Sequence, residues 1–225
     1  QRVPERNPRG YVGGLDGTNL RFTMKLYYTP GACSMGPHIV LREVGAPFDI
    51  ERVDLMTKLT ETGRDFRTVN PKGSVPALET DEGELVTEGP AILQFIADGA
   101  GARSLVAEPG TIARARVQEL LNFTSSELNH AFGPLFQPGL PDDQRATHVA
   151  NVGRKLDWLE RVLADGRSYL TGGTFTVADA YAFAVTGFAR LHSMALDPWP
   201  KLAAFMARVG ARPSVIAAMR AEGLI

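Results

Sequence analysis

KLYYTPGACSMGPHIVLREVG, Lys25 to Gly45, places the chain's single cysteine at a turn between a strand and a helix. Lys25 to Tyr28 reads as a short strand and Thr29-Pro30-Gly31-Ala32 as a turn. Ser34 to Val44 reads as a helix whose apolar stripe includes Met35, Ile39, Val40 and Val44. With Ser34 as N-cap, Pro37 falls in the first turn, where a missing N–H removes no intrahelical hydrogen bond. Cys33 then stands just outside a helix N-terminus. Unpaired backbone N–H groups and the positive end of the helix dipole favour a thiolate there, so the expected thiol pKa is lowered.

The flanking segments extend this unit into a small layered domain. Phe48 to Val53 alternates as a strand, Asp54-Leu55-Met56 leads out of it past Lys58, and Glu61 to Val69 reads as a short amphipathic helix. Asn70 to Leu78 is a turn built on two prolines and a glycine. Val75-Pro76, at the start of a strand, is the best candidate for a cis peptide. Ala77 to Thr80 and Leu85-Val86 form a hairpin around Asp81 to Glu84. Glu88-Gly89-Pro90 opens another helix, with Pro90 in its first turn. The order β-α-β-α-β-β-α, with the cysteine after the first strand, is thioredoxin-like and implies a small mixed sheet with helices on both faces.

Everything beyond the Gly-, Ala- and Pro-rich stretch from Gly99 to Pro109 reads as helical. One long helix is expected from Thr111 to about Leu135 and a second from Pro141 to Leu163. Further helices are expected over Ala180 to Leu191, Trp199 to Ala211 and Pro213 to Glu222. Thr176 and Asp179 have the spacing of a reciprocal N-capping pair, which assigns both to structure rather than to catalysis. The chain thus divides into an extension (1–23), an α/β domain (24–104) and an all-α domain (105–225). Met24, directly before the first strand, reads as the true start, with the preceding residues an upstream extension or an added tail.

Composition narrows the function. The 225 residues carry a formal net charge of −1 without basic runs, so neither nucleic acid nor an anionic membrane is indicated as a partner. A single cysteine excludes a CxxC redox pair and a cysteine-based zinc site, and points to a reducing, cytoplasmic setting. The extension lacks the apolar core of a secretory signal. No phosphate-binding loop, dinucleotide fingerprint, HExxH or Gly-x-Ser-x-Gly elbow is present, and the scattered histidines do not suggest a metal site.

YYTPGACS (27–34), VNPKGSVPAL (69–78), TEGPAI (87–92), FTVADAY (175–181) and the terminal AEGLI (221–225) together resemble the glutathione transferases, more narrowly their bacterial beta class. The resemblance runs from Met24 to Ile225. It implies a thioredoxin-like domain, a helical domain, a homodimer, and glutathione as co-substrate in the cleft between the domains, with no metal. Cys33 would face the glutathione sulfur, and Val75 would pair its backbone with the cysteinyl unit beside cis Pro76. Lys58 would meet the glycyl carboxylate, Glu88 the γ-glutamyl ammonium, and the Gly89 N–H that unit's carboxylate. Asn122 would reach the partner subunit's site, and Ser126 and Asn129 would line the wall opposite Cys33.

Beta-class relatives often carry Glu-Leu-His where this chain has Glu127-Leu128-Asn129. A shift of one residue turns a helical side chain by about 100°, so the histidine's role does not pass to His130. Asn129 can donate a hydrogen bond to sulfur but cannot titrate. Tyr28, Phe132, Phe136 and Met194, with His130 beside them, are either core or the wall for a second substrate. The expected activity is transfer of glutathione to a small electrophile, or thiol–disulfide exchange through Cys33 with a disulfide partner. Rival readings are a glutathione-dependent oxidoreductase or dehalogenase on the same fold, and a non-catalytic ligand carrier.

Overall fold

The computed structural model describes residues 24–225; the extension assigned to 1–23 lies outside the described residues. Four strands form one sheet in the order β2-β1-β3-β4, comprising β1 (Met24–Tyr28), β2 (Phe48–Arg52), β3 (Ala77–Glu79) and β4 (Leu85–Thr87). β1 pairs parallel with β2, Leu26 opposite Ile50, and antiparallel with β3, Leu26 opposite Leu78. β3 and β4 are the expected hairpin.

The two-residue period of β1 divides its side chains between two cores. Leu26 and Tyr28 join the large core, under α1 (Met35–Val44) and α2 (Gly89–Gly99). Tyr27 points the other way, into a small core with Val53, Phe66, Val75 and Ala77. The amphipathic helix expected over Glu61 to Val69 is not formed. Only a 3₁₀ turn, Phe66–Thr68, stands there, with Asp65 accepting from the Arg67 N–H. Gly63, at φ 85°, breaks the segment, and one buried ring, Phe66 at 5.4 Å from Tyr27, anchors it. The sheet therefore has helices on one face and a pinned loop on the other.

The second half is helical, as expected, but its first helix is not uniform. α3 (Ile112–Asn122) starts at Thr111, whose hydroxyl accepts from the Arg114 N–H. It runs into a π-helical segment, Phe123–Asn129, then α4 (His130–Phe132) and a 3₁₀ turn, Gly133–Phe136. α5 (Asp142–Val162) follows. Gly187 divides the expected Ala180–Leu191 helix into α6 (Val177–Thr186) and α7 (Phe188–Leu191), and α8 (Pro200–Gly210) and α9 (Pro213–Ala221) end the chain.

α6 is the buried centre of the molecule, packed on α1, α2, α3 and α8. Its N-terminus is closed by Asp179, which has no exposure. The carboxylate accepts from Thr176 N–H at 2.7 Å, Thr176 Oγ1 at 2.8 Å and Leu170 N–H at 2.8 Å. The large core runs without interruption from Leu26 to Ala218, so the sheet layer and the helices share one apolar interior. Among the described residues no single helix is long and apolar enough to cross a membrane.

Candidate active site

The turn and helix expected around Cys33 are present, but the thiol's environment differs from expectation. Ser34 takes the N-cap position without capping. Its backbone is already helical, and its hydroxyl turns back to Thr29, donating to the carbonyl at 3.3 Å and accepting from the N–H at 3.2 Å. Cys33 Sγ donates to Val75 O at 3.5 Å, the carbonyl next to the Val75-Pro76 bond, which is cis. Burial pushes the thiol up to about 11 from an ordinary 9.0. It outweighs the Cys33 and Ser34 N–H groups, which favour the anion, and the Glu88 charge adds to it. The expected lowering is thus reversed: at this site desolvation of the anion exceeds the pull of the helix start.

Cys33 opens on a cavity of about 180 Å³ where the two halves meet. Asn70, Lys72, Ser74, Val75, Pro76, Thr87, Glu88 and Gly89 line it from the sheet side; Ser125, Asn129 and Tyr181 line it from the helices. Polar groups dominate. The Val75 N–H has no partner among the described residues and leaves a backbone edge beside the sulfur. Glu88 stands at φ 72° in front of the α2 N-terminus, a conformation costly for a residue with a Cβ. Lys72 Nζ donates to its carboxylate at 2.6 Å and to Thr87 Oγ1 at 3.0 Å.

Of the residues named from the sequence, Cys33, Val75, Glu88, Gly89 and Asn129 meet at this cavity. Lys58 does not line it. Its ammonium donates to Gly73 O at 2.8 Å, and Lys72 is the cation on the wall instead. Ser126 gives way to Ser125: the wider i→i+5 turn of the π segment shifts the helix phase, leaving Ser126 exposed with its hydroxyl on Asn122 O. Asn122 and His130 are exposed away from the cavity. The proposed second-substrate wall is also corrected. Tyr28 and Phe132 are buried in the large core, and Met194 packs against it. Phe136, half exposed, packs on Phe188 and His192, which also meet Phe132 at the edge of the large core. None of these lines the cavity, because the core claimed the aromatic side chains.

Tyr181 is the residue that sequence reasoning missed. It belongs to α6, 2 % exposed, and is wedged against the starts of both α1 and α2. A Cβ at Gly89 would stand 2.8 Å from its ring, and one at Gly36 3.1 Å. Burial pushes the phenol well above its ordinary value, and negative charge at Cys33 and Glu88 acts the same way. The signal was the FTVADAY string, read for its cap and for the family resemblance but not for its tyrosine. Because this ring cannot swing away, Gly89→Ala is expected to destabilise the protein by roughly 1–3 kcal/mol. It should also raise the Michaelis constant for the cavity's ligand about tenfold, since α2 must shift where it meets that ligand. Thermal unfolding and steady-state kinetics check both; wild-type values for each would refute the wedge.

Comparison with known proteins agrees with this geometry. Residues 31–98 match the glutathione S-transferase N-terminal domain, and residues 142–208 the glutathione S-transferase C-terminal domain. Glutathione S-transferase GstA of Escherichia coli O157:H7 is 45 % identical over 201 residues, covering 89 % of this chain and all of the relative. The beta-class glutathione S-transferase of Sphingomonas chungbukensis superposes with a TM-score of 0.85 at 45 % identity, over 89 % of this chain and 100 % of that one. A sphingomonad glutathione S-transferase complexed with glutathione does so with a TM-score of 0.85 at 44 % identity, over the same shares. With the thioredoxin-like sheet, the helical half and the cysteine turn all matched over nearly its whole described length, the chain belongs to the glutathione S-transferase family, in its bacterial beta class.

Proposed function

We propose that the cavity beside Cys33 binds glutathione and that the enzyme joins its sulfur to a small electrophile, GS⁻ displacing a leaving group that departs with the electron pair. The observation that carries this reading is the placement of a thiol, an unpaired backbone edge, an acid and a lysine around one cleft. Glutathione has a peptide-like centre, two carboxylates and one ammonium. Val75 matches the centre as an added strand would. Glu88 matches the ammonium, and the Gly89 N–H at the α2 start matches the neighbouring carboxylate. Lys72, which already reaches Glu88, takes over the role first given to Lys58. Asn129 and Ser125 face the ligand from the helical half. The glutathione held by the sphingomonad relative supports the same reading.

The same sulfur supports a second reaction. Cys33 as thiolate attacks a glutathione disulfide, forms a mixed disulfide and releases one glutathione thiolate; a second thiolate then attacks the glutathione sulfur of that mixed disulfide, leaves as a new disulfide with it and releases the Cys33 thiolate. The electrophile is a small, soft carbon centre, and the working form is a homodimer in which Asn122 approaches the partner's cleft. The cytoplasm, which keeps a lone thiol reduced, is its compartment. Purified protein should bind glutathione saturably by calorimetry and conjugate it to an aryl halide. Absence of both would overturn the proposal.

Lys72→Met tests the new assignment. Both members of the Lys72–Glu88 pair are more than half exposed, so the variant should change stability by less than about 0.5 kcal/mol. It should nevertheless raise the glutathione Michaelis constant about fivefold, because a carboxylate of the ligand loses its cation. An unchanged constant would return the role to Lys58.

A further inference from the structure

The end of the chain reaches back across the whole molecule to the cysteine turn. Glu222 follows α9, and its side chain has no exposure. One carboxylate oxygen accepts from the Gly31 N–H at 2.9 Å, two residues before Cys33. The other lies 2.8 Å from His38 Nδ1, in the helix that follows the turn. Leu224 closes over the same place: a Cβ on Gly31 would meet its Cδ2 at 3.7 Å.

The proton positions in this network follow from donor chemistry. Arg42 Nε lies 3.0 Å from His38 Nε2, and an arginine nitrogen can only donate. Nε2 is therefore the acceptor, and the ring proton sits on Nδ1, aimed at Glu222. Tyr28 and Phe48, with ring centres 6.1 and 5.6 Å from the imidazole, hold its plane. Both Glu222 oxygens must accept, one from Gly31 and one from His38. Within its own segment the turn is held by Ala32 N–H on Thr29 O, Met35 N–H on Ala32 O, Gly36 N–H on Cys33 O and the Ser34 hydroxyl, which accepts from the Thr29 N–H and donates to its carbonyl. The carboxylate ties it to the far end of the chain.

We infer that Glu222 is a positioning residue of the active site: with Leu224 it clamps the Gly31 turn and, through His38, the start of α1, so that Cys33 is in place only when the C-terminal segment is docked. The consequence for glutathione rests on the proposed function; the geometry of the turn does not.

Glu222→Gln keeps the shape but offers one acceptor and one donor. If the amide oxygen serves Gly31, its NH₂ faces the His38 Nδ1–H, and the reverse orientation strands Gly31. Arg42→Met resolves the conflict, because the imidazole proton can then move to Nε2 and Nδ1 can accept from the amide. The effect of Arg42→Met should therefore change sign with background. Two readouts apply: the glutathione Michaelis constant, and the alkylation rate of Cys33 by iodoacetamide without glutathione.

Glu222→Gln is expected to raise the constant about tenfold and to alter the alkylation rate at least about threefold, with the maximal rate within about threefold of wild type. Arg42→Met should cost less than about twofold alone and restore most of the loss in the Glu222→Gln background. Wild-type values for Glu222→Gln, or no recovery in the double variant, would overturn the inference. Should the wild-type protein fail to use glutathione, the proposed function falls, while the alkylation rates still decide the clamp. If Glu222→Gln does not fold, Leu224→Ala is the gentler probe and should move both readouts about threefold; unchanged readouts overturn the clamp.

Discussion

Cys33→Ala is expected to lower thiol–disulfide exchange with a glutathione disulfide at least a hundredfold, while conjugation to an aryl halide falls less than about tenfold. Exchange passes through a covalent bond to this sulfur, and no second cysteine is available to replace it. Conjugation needs only that the glutathione sulfur be held and kept anionic. A thiol with a pKa of about 11 is anionic in roughly one molecule in several thousand at pH 7.4, so under the proposed function Cys33 would serve conjugation as a weak S–H donor rather than as a charge. Asn129 and the Gly89 helix start remain to support the ligand in its absence. The pH profile separates the two roles further. In the free protein, alkylation of Cys33 should climb about tenfold per pH unit and show no plateau below about pH 11. At pH 7.4 the thiolate fraction is about a hundredfold below that of an ordinary thiol, but the greater nucleophilicity of a high-pKa thiolate recovers about tenfold of this. Equal losses in both activities, or a plateau near neutrality, would refute the division.

Asp179→Ala is expected to be the most destabilising single change outside the cleft, at roughly 3–5 kcal/mol. It strands two buried N–H donors and a hydroxyl, each stranded buried donor costing about 1–3 kcal/mol. For a chain of this length that lowers the thermal midpoint by about 10 °C. Burial pushes the Asp179 carboxyl up to about 6 from 3.8, exceeding the opposing effect of the donors from Leu170, Thr176 and its own backbone. The folded protein then binds this proton more tightly than the unfolded chain between those values. The resulting stabilisation is complete below pH 3.8 and lost as the pH rises through about 6. The gap between wild type and the non-titrating alanine variant should therefore widen as the pH falls from 7 to 4. A midpoint within 2 °C of wild type, or a gap that narrows over that range, would show that the cap does not bear on the centre of the fold. Since α6 also carries Tyr181, the same variant should loosen the α2 start.

Local chemistry and periodicity determined much of this protein. The short strand from Lys25 to Tyr28, the Pro-Gly turn, the hairpin, the capping pair and the proline-marked helix starts each follow from rules acting over a few residues. That is why the thioredoxin-like order, the helical second half, and the meeting of Cys33, Val75, Glu88 and Gly89 were legible in the chain itself. Those residues lie at the ends of short elements of one sheet, where spacing along the chain nearly sets spacing in space. What the tertiary structure alone decided depends on contacts between distant segments. Desolvation at the cleft reversed the sign of the Cys33 shift, and a π segment exchanged Ser126 for Ser125. The core took Tyr28 and Phe132, Lys72 rather than Lys58 lines the cavity, and Tyr181 and Glu222 arrived from 148 and 189 residues beyond Cys33. Burial, helix phase and long-range donors are properties of the packed chain, and no window of neighbouring residues contains them.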